Sequence, residues 1–143
     1  MALAIGSFLA VACGTPAGGD PGGRRLQELG NDRVFAGLPD DATKIRTTKT
    51  PAHYSQPGFT GGGWRGPGIV VMFTSSAPAA VVFRFYARRA AVAGWRPTAK
   101  GALGFTDRWK KTYPDNGAPA TLLLTRTAKR VYFLSGGVAP VLR

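Results

Sequence analysis

Apolar side chains recur at three- and four-residue intervals between positions 79 and 95 (AAVVFRFYARRAAVAGW). That spacing marks one face of a helix. Val82, Tyr86, Ala90 and Ala93 form the row, Phe83 lies beside it, and Phe85 and Val92 widen the arc. Arg84 and Arg88 fall on the opposite side, where their charge stays in water. Only Arg89 cuts into the arc, and it is expected to bury its methylenes and point its guanidinium to solvent. Alanine and arginine both favour the helix. Pro78 suits a first-turn position, where a missing N–H costs nothing. Ser76 has the better cap side chain, whereas a cap at Ala77 would put Pro78 at the first helical position. Gly94 stops the helix, because glycine takes the left-handed terminal conformation without steric penalty. Pro97 prevents resumption. Trp95, just past the stop, has enough surface to seal that end of a core.

Around this helix the period changes to two. Residues 42–50 (ATKIRTTKT) alternate and are rich in threonine, which predicts an edge strand whose lysines discourage edge-to-edge pairing. Residues 69–74 (IVVMFT) are continuously apolar and β-branched, the mark of a central strand. Further on, Phe105, Trp109 and Tyr113 share one strand face, with Lys111 near its rim. Thr106, Arg108, Lys110 and Thr112 share the other. A turn at Pro114-Asp115-Asn116-Gly117 leads to a strand over 120–126. A second turn at Ala128-Lys129 leads to a strand over 131–135, which Gly136-Gly137 should end. Residues 138–142 could add a short edge piece limited by Pro140. Upstream, residues 24–29 suggest a short helical turn stopped by Gly30, and 34–38 a small apolar piece before a turn at Pro39-Asp40-Asp41. Residues 51–68 read as a long loop. This order predicts an α+β fold: an antiparallel sheet of about five strands with one main helix, Ala79 to Gly94, packed on one face.

Residues 1–12 (MALAIGSFLAVA) are apolar except for Ser7 and too short to cross a bilayer as a helix. They suit the apolar region of a signal peptide. The run Leu9-Ala10-Val11-Ala12-Cys13-Gly14 resembles a bacterial lipobox. The resemblance implies cleavage before Cys13, a diacylglyceryl thioether on its sulfur and often an amide-linked acyl chain. Read without it, Cys13 is a small buried hydrophobe near the end of an N-terminal element. Residues 14–23 (GTPAGGDPGG) have almost no apolar side chain to bury, as a flexible tether requires. The expected organisation is a signal peptide over 1–12, a lipidated Cys13 with a Gly/Pro linker to residue 23, and one α+β domain over 24–143. A domain of that length buries a core without disulfides. Phe85-Tyr86, Gly94-Trp95 and the basic, aromatic strands after them, together with Cys13, are similar to small exported lipoproteins of high-GC Gram-positive bacteria. That likeness covers roughly the second half of the chain. It implies a place, the outer side of the cell membrane, and a build, but no activity.

Charge narrows the partners. Nineteen Lys and Arg against seven Asp and Glu give +12, so anionic surfaces and polymers attract the protein. Arg84, Arg88, Arg108, Lys110, Lys129 and Arg130 are the expected contacts. With Phe105, Trp109 and Tyr113 interleaved, the pattern also suggests nucleic-acid binding by stacking. Alternation, however, puts the aromatics and most of the cations on opposite faces, and export argues against nucleic acid. The first reading is a non-enzymatic, lipid-anchored envelope protein whose domain binds or spaces anionic lipid or cell-wall polymer. The alternative is a basic nucleic-acid-binding domain in the cytoplasm.

No residues assemble into a catalytic pattern. One cysteine and one histidine exclude an intramolecular disulfide and a Cys/His metal cluster, and no cofactor is expected. Residues 61–66 (GGGWRG) match the dinucleotide fingerprint, but Pro67 and a strand follow where a helix N-terminus must hold the phosphates. His53 sits in a polar loop beside Tyr54, with no neighbouring acid or nucleophile. Asp40 and Asp41 share a turn, whereas carboxylates that cleave a sugar flank the bond from two places roughly 5 to 9.5 Å apart. Ser135 lacks the nucleophile-elbow frame.

Overall fold

The computed structural model describes residues 21–56, 62–98, 105–114 and 117–140. The predicted signal segment, the Cys13 lipobox, Gly61 and the Asp115-Asn116 tip of the predicted turn lie outside the described residues. In chain order the elements are α1 (Pro21–Gly30), a 3-10 turn (Arg33–Phe35), β1 (Ala42–Thr50), β2 (His53–Ser55), β3 (Gly63–Arg65), β4 (Gly68–Ser75), α2 (Ala79–Val92), β5 (Arg96–Pro97), β6 (Thr106–Thr112), β7 (Pro119–Ala128) and β8 (Val131–Val138).

The fold is α+β. Six strands form one antiparallel sheet in the order β1-β4-β8-β7-β6-β5, while β2 and β3 pair with each other as a hairpin. α2 carries the chain from the middle of the sheet to its far edge. The meander β6–β7–β8 then returns until β8 lies against β4.

Register gathers the core on one face. Ile69 lies opposite Gly136, Gly136 opposite Leu122, and Leu122 opposite Trp109. The next rungs are Val71–Leu134–Leu124 and Phe73–Tyr132. The apolar side chains of these rungs are buried. α2 crosses this face with Val82, Tyr86 and Ala90 buried, as their spacing predicts. The Phe73 ring stacks on Tyr132 at 5.3 Å and tilts against Tyr86 at 5.6 Å. Leu29 of α1 and Val34 of the 3-10 turn belong to the same core.

Several expectations are corrected. Gly136-Gly137 do not end a strand but lie within β8. A Cβ at Gly136 would stand 2.6 Å from Cζ of Phe35 and 3.3 Å from Cδ1 of Leu29, so the bare position is the socket for the 3-10 turn and α1. Val138 belongs to β8 rather than to a separate edge piece. α1 begins at Pro21, inside the stretch read as linker, because proline suits a first turn and Arg25, Leu26 and Leu29 turn toward the protein. The loop over 51–68 contains the β2–β3 hairpin. Neither Ser76 nor Ala77 caps α2. Pro78 is the cap residue, and the Ser75 hydroxyl accepts the Ala77 N–H at 3.2 Å. Gly94 is left-handed, with φ of 82°. Val92 is 75% exposed and outside the apolar arc. Arg89 is partly buried, and its guanidinium, at the protein surface, donates from Nε to the Arg33 carbonyl at 3.3 Å and lies 5.2 Å from the Phe85 ring centroid.

Tyr86 carries an anomaly at the centre of this core. Its hydroxyl is buried without a hydrogen-bond partner, and burial pushes its pKa above the usual tyrosine value. An unsatisfied buried polar group costs about 1–3 kcal/mol. Tyr86→Phe removes that cost and keeps the ring, so its urea midpoint should equal or exceed that of the parent. A loss of more than about 1 kcal/mol would mean that the hydroxyl has a partner.

Candidate anionic-surface site

Among the described residues, no helix packs on the second face of the sheet. Successive strand residues point to opposite faces, so the buried rungs define what the intervening residues do. Val70 and Met72 of β4, Val131 and Phe133 of β8, and Leu123 of β7 fall on the uncovered face and are half-buried. Thr74, Thr121, Thr125 and Ser135 lie among them. Four cations rim this face, while Lys44, Lys49 and Lys111 of the same sheet lie on the helix-covered side. Arg46 pairs with Met72 on one side. On the other, Arg108 pairs with Leu123, Lys110 with Thr121, and Arg96 with Lys110. All four are exposed.

The acids are elsewhere. Glu28 is on α1, and Asp32 is buried under the helix layer. Asp40 and Asp41 sit before β1, where Asp41 accepts from the hydroxyls of Ser75 and Ser76 at 3.3 Å each. Asp107 pairs with Leu124 and so belongs to the helix-covered face. Among the described residues, no strand position on the uncovered face is acidic.

The six cations singled out from the sequence do not form one patch. Arg108 and Lys110 share the uncovered face. Arg84 and Arg88 are exposed on the outer side of α2, across the molecule. Lys129 and Arg130 make the turn between β7 and β8, with Arg130 at φ of 68°. Arg46 and Arg96, which complete the rim, were missed. Only the β1–β4 and β5–β6 registers reveal them.

The aromatics expected on one strand face divide. Trp109 and Tyr113 are buried, at 3% and 8% exposure, and only Phe105 is open, with Arg126 4.9 Å from its ring centroid. Trp109 and Tyr113 are therefore not available for stacking on a base.

Asp32 is the functional-looking residue that the sequence reading passed over. It caps the 3-10 turn, Oδ1 accepting the Val34 N–H at 3.1 Å. The Trp95 indole N–H donates to both carboxylate oxygens at 3.2 Å. The Tyr113 hydroxyl donates to Oδ2 at 3.1 Å and the Lys111 ammonium at 2.7 Å. Lys111 also donates to the carbonyl of Ala93, at the C-terminus of α2, at 2.7 Å. Burial, and after it the charge and hydrogen bond of Asp32, raise the pKa of Tyr113, so the hydroxyl stays protonated and donating. The group borders an open cleft of about 480 Å³ with Glu28, Asn31 and Arg33. A carboxylate has about four lone-pair sites, and here donors occupy them all. Asp32 has none left to take a substrate proton. It is a staple joining the 3-10 turn, the end of α2 and β6.

The remaining candidates stay apart. His53 is exposed, with Nδ1 3.1 Å from its neighbour Pro51 carbonyl oxygen. Ser135 lies mid-strand on the uncovered face, and β4 follows residues 61–66 where a nucleotide would need a helix. Among the described residues, no group of three or more His, Cys, Asp and Glu could hold a metal ion. No protein-family model matches the chain, and no curated protein matches it.

Proposed function

We propose that this chain is a non-enzymatic, lipid-anchored envelope protein, held at the outer side of the cell membrane through Cys13, whose domain binds an anionic envelope surface. The observation that carries the reading is that, among the described residues, the uncovered face of the sheet carries cations and no acid. Arg46, Arg96, Arg108 and Lys110 rim the uncovered face, and the described acids sit on the helix side or at its ends. Four cations on one face contribute about 1 kcal/mol each near an anionic surface. Nucleic acid is the weaker partner, because burial of Trp109 and Tyr113 removes the stacking platform that single strands use. The anchor rests on the sequence, on the apolar run ending at Ala12 and the Cys13-Gly14 that follows.

Two measurements test this. Expressed in a suitable bacterial host, the protein should enter the detergent phase, and Cys13→Ala should stay in the aqueous phase. Equal partition of both to the aqueous phase would refute the anchor. Binding to anionic polymer or vesicles should weaken steeply with salt, since the Debye length falls from about 10 Å at 0.1 M to about 3 Å at 1 M. Arg108→Glu with Lys110→Glu should weaken it more than Lys111→Glu, because Lys111 is already paired with Asp32.

A further inference from the structure

The uncovered face is not only basic. A polyanion in water gains from cations and nothing from apolar side chains, yet the cations here surround an apolar centre of Val70, Met72, Leu123 and Phe133. A core of that kind, left without a helix and rimmed by charge, fits a surface that is itself anionic outside and apolar beneath. We propose that the uncovered sheet face lies flat on the anionic lipid bilayer, with the rim cations among the headgroups and Phe133, Met72 and Leu123 against the acyl boundary. This rests on the anionic-surface reading above and deepens it by naming the surface. The reach of the chain agrees. From Cys13 to Pro21 a fully extended chain spans at most about 29 Å. That reach lets a lipid on Cys13 and a surface of the domain meet the same membrane.

The test uses the full chain carrying Cys13→Ala, so that no acyl anchor contributes. It is mixed with vesicles of phosphatidylcholine alone, vesicles of phosphatidylcholine with phosphatidylglycerol, and soluble polyphosphate. All variants share the same N-terminal segment, so differences between them read the face. Arg108→Glu with Lys110→Glu should lower binding to the phosphatidylglycerol vesicles and to polyphosphate by at least about tenfold. Phe133→Ser should lower vesicle binding severalfold and leave polyphosphate binding unchanged. Because Phe133→Ser could unfold the sheet, Leu123→Trp supplies an independent readout: brominated acyl chains should quench its added fluorescence beyond the quenching of the parent.

The outcomes separate the two claims. Vesicle binding insensitive to Phe133→Ser, or an added Leu123→Trp signal that bromine does not quench, overturns the bilayer inference. If charge reversal still weakens binding to polyphosphate, the anionic-surface reading survives that result with a polymer as the partner. Indifference of every arm to charge reversal overturns both. Tight binding to vesicles of phosphatidylcholine alone, unchanged by any of these substitutions, assigns the association to another part of the chain and overturns the inference as well.

Discussion

Asp32→Ala is expected to cost about 3–5 kcal/mol, the range for breaking a buried ion pair by removing one partner. The substitution removes the acceptor of four donors at once, the Val34 N–H among them. The Trp95 indole and the Tyr113 hydroxyl lose their acceptor inside the protein, and Lys111 keeps one carbonyl in place of a carboxylate. The Lys111 side chain is 20% exposed and can swing partly to water, which places the expected cost in the lower half of that range. Asp32→Asn retains an acceptor and loses the charge, so it should fall between the parent and alanine. Adding Lys111→Met to Asp32→Ala should recover part of the loss, because groups in one network are not additive. Urea melts of the parent, Asp32→Ala, Lys111→Met and the double variant form the cycle. A cost below about 1 kcal/mol for Asp32→Ala would show that the carboxylate is incidental to the fold, and would reopen Asp32 as a group free to act on a ligand in the cleft.

Trp95→Ala carries a second large expected loss. Trp95 is 2% exposed, and it packs edge-on to Tyr113 at 6.5 Å between centroids. Truncating a buried aromatic costs about 3–5 kcal/mol through lost transfer energy and the cavity left behind. That is a large part of the 5–15 kcal/mol typical of a domain. Arg84→Ala, on the outer side of α2, should cost under about 0.5 kcal/mol and is the reference. Trp95→Phe separates the two contributions of the indole, since it keeps most of the ring and drops the bond to Asp32. If Trp95→Ala melted with Arg84→Ala, the ring would be exposed and the end of the core would be closed by something else.

The parts of this fold that the sequence displays are those governed by short period. The row Val82, Tyr86, Ala90 needs only neighbours three or four residues away to be seen, and Thr106, Arg108, Lys110 and Thr112 need only alternation. Asp32 is different. Its partners Trp95, Lys111 and Tyr113 come from 63, 79 and 81 residues away. An aspartate before Val34 suggests a turn cap locally, and nothing local announces the other three donors. Gly136 misled for a related reason. Adjacent glycines signal a strand end when read along the chain, but here the missing side chain answers to Phe35, a residue of a distant turn. The candidate face was half legible. Arg108 and Lys110 show their shared side by period, whereas Arg46 joins them only through the register of β1 on β4, which includes a bulge between Lys44 and Arg46.

The place of β8 between β4 and β7 has a consequence for how the chain is made. β4 has β1 on one edge from early in synthesis, but its other edge waits for residues 131–138. Pairings between such distant segments are slow to form, because the loop must close before contacts reward it. Until the last strand arrives, Phe73 lacks Tyr132, Val71 lacks Leu134, and the helix has only a partial floor to settle on. The core of this design is therefore completed only when residues 131–138 pair, and until then one edge of the apolar β4 stays open.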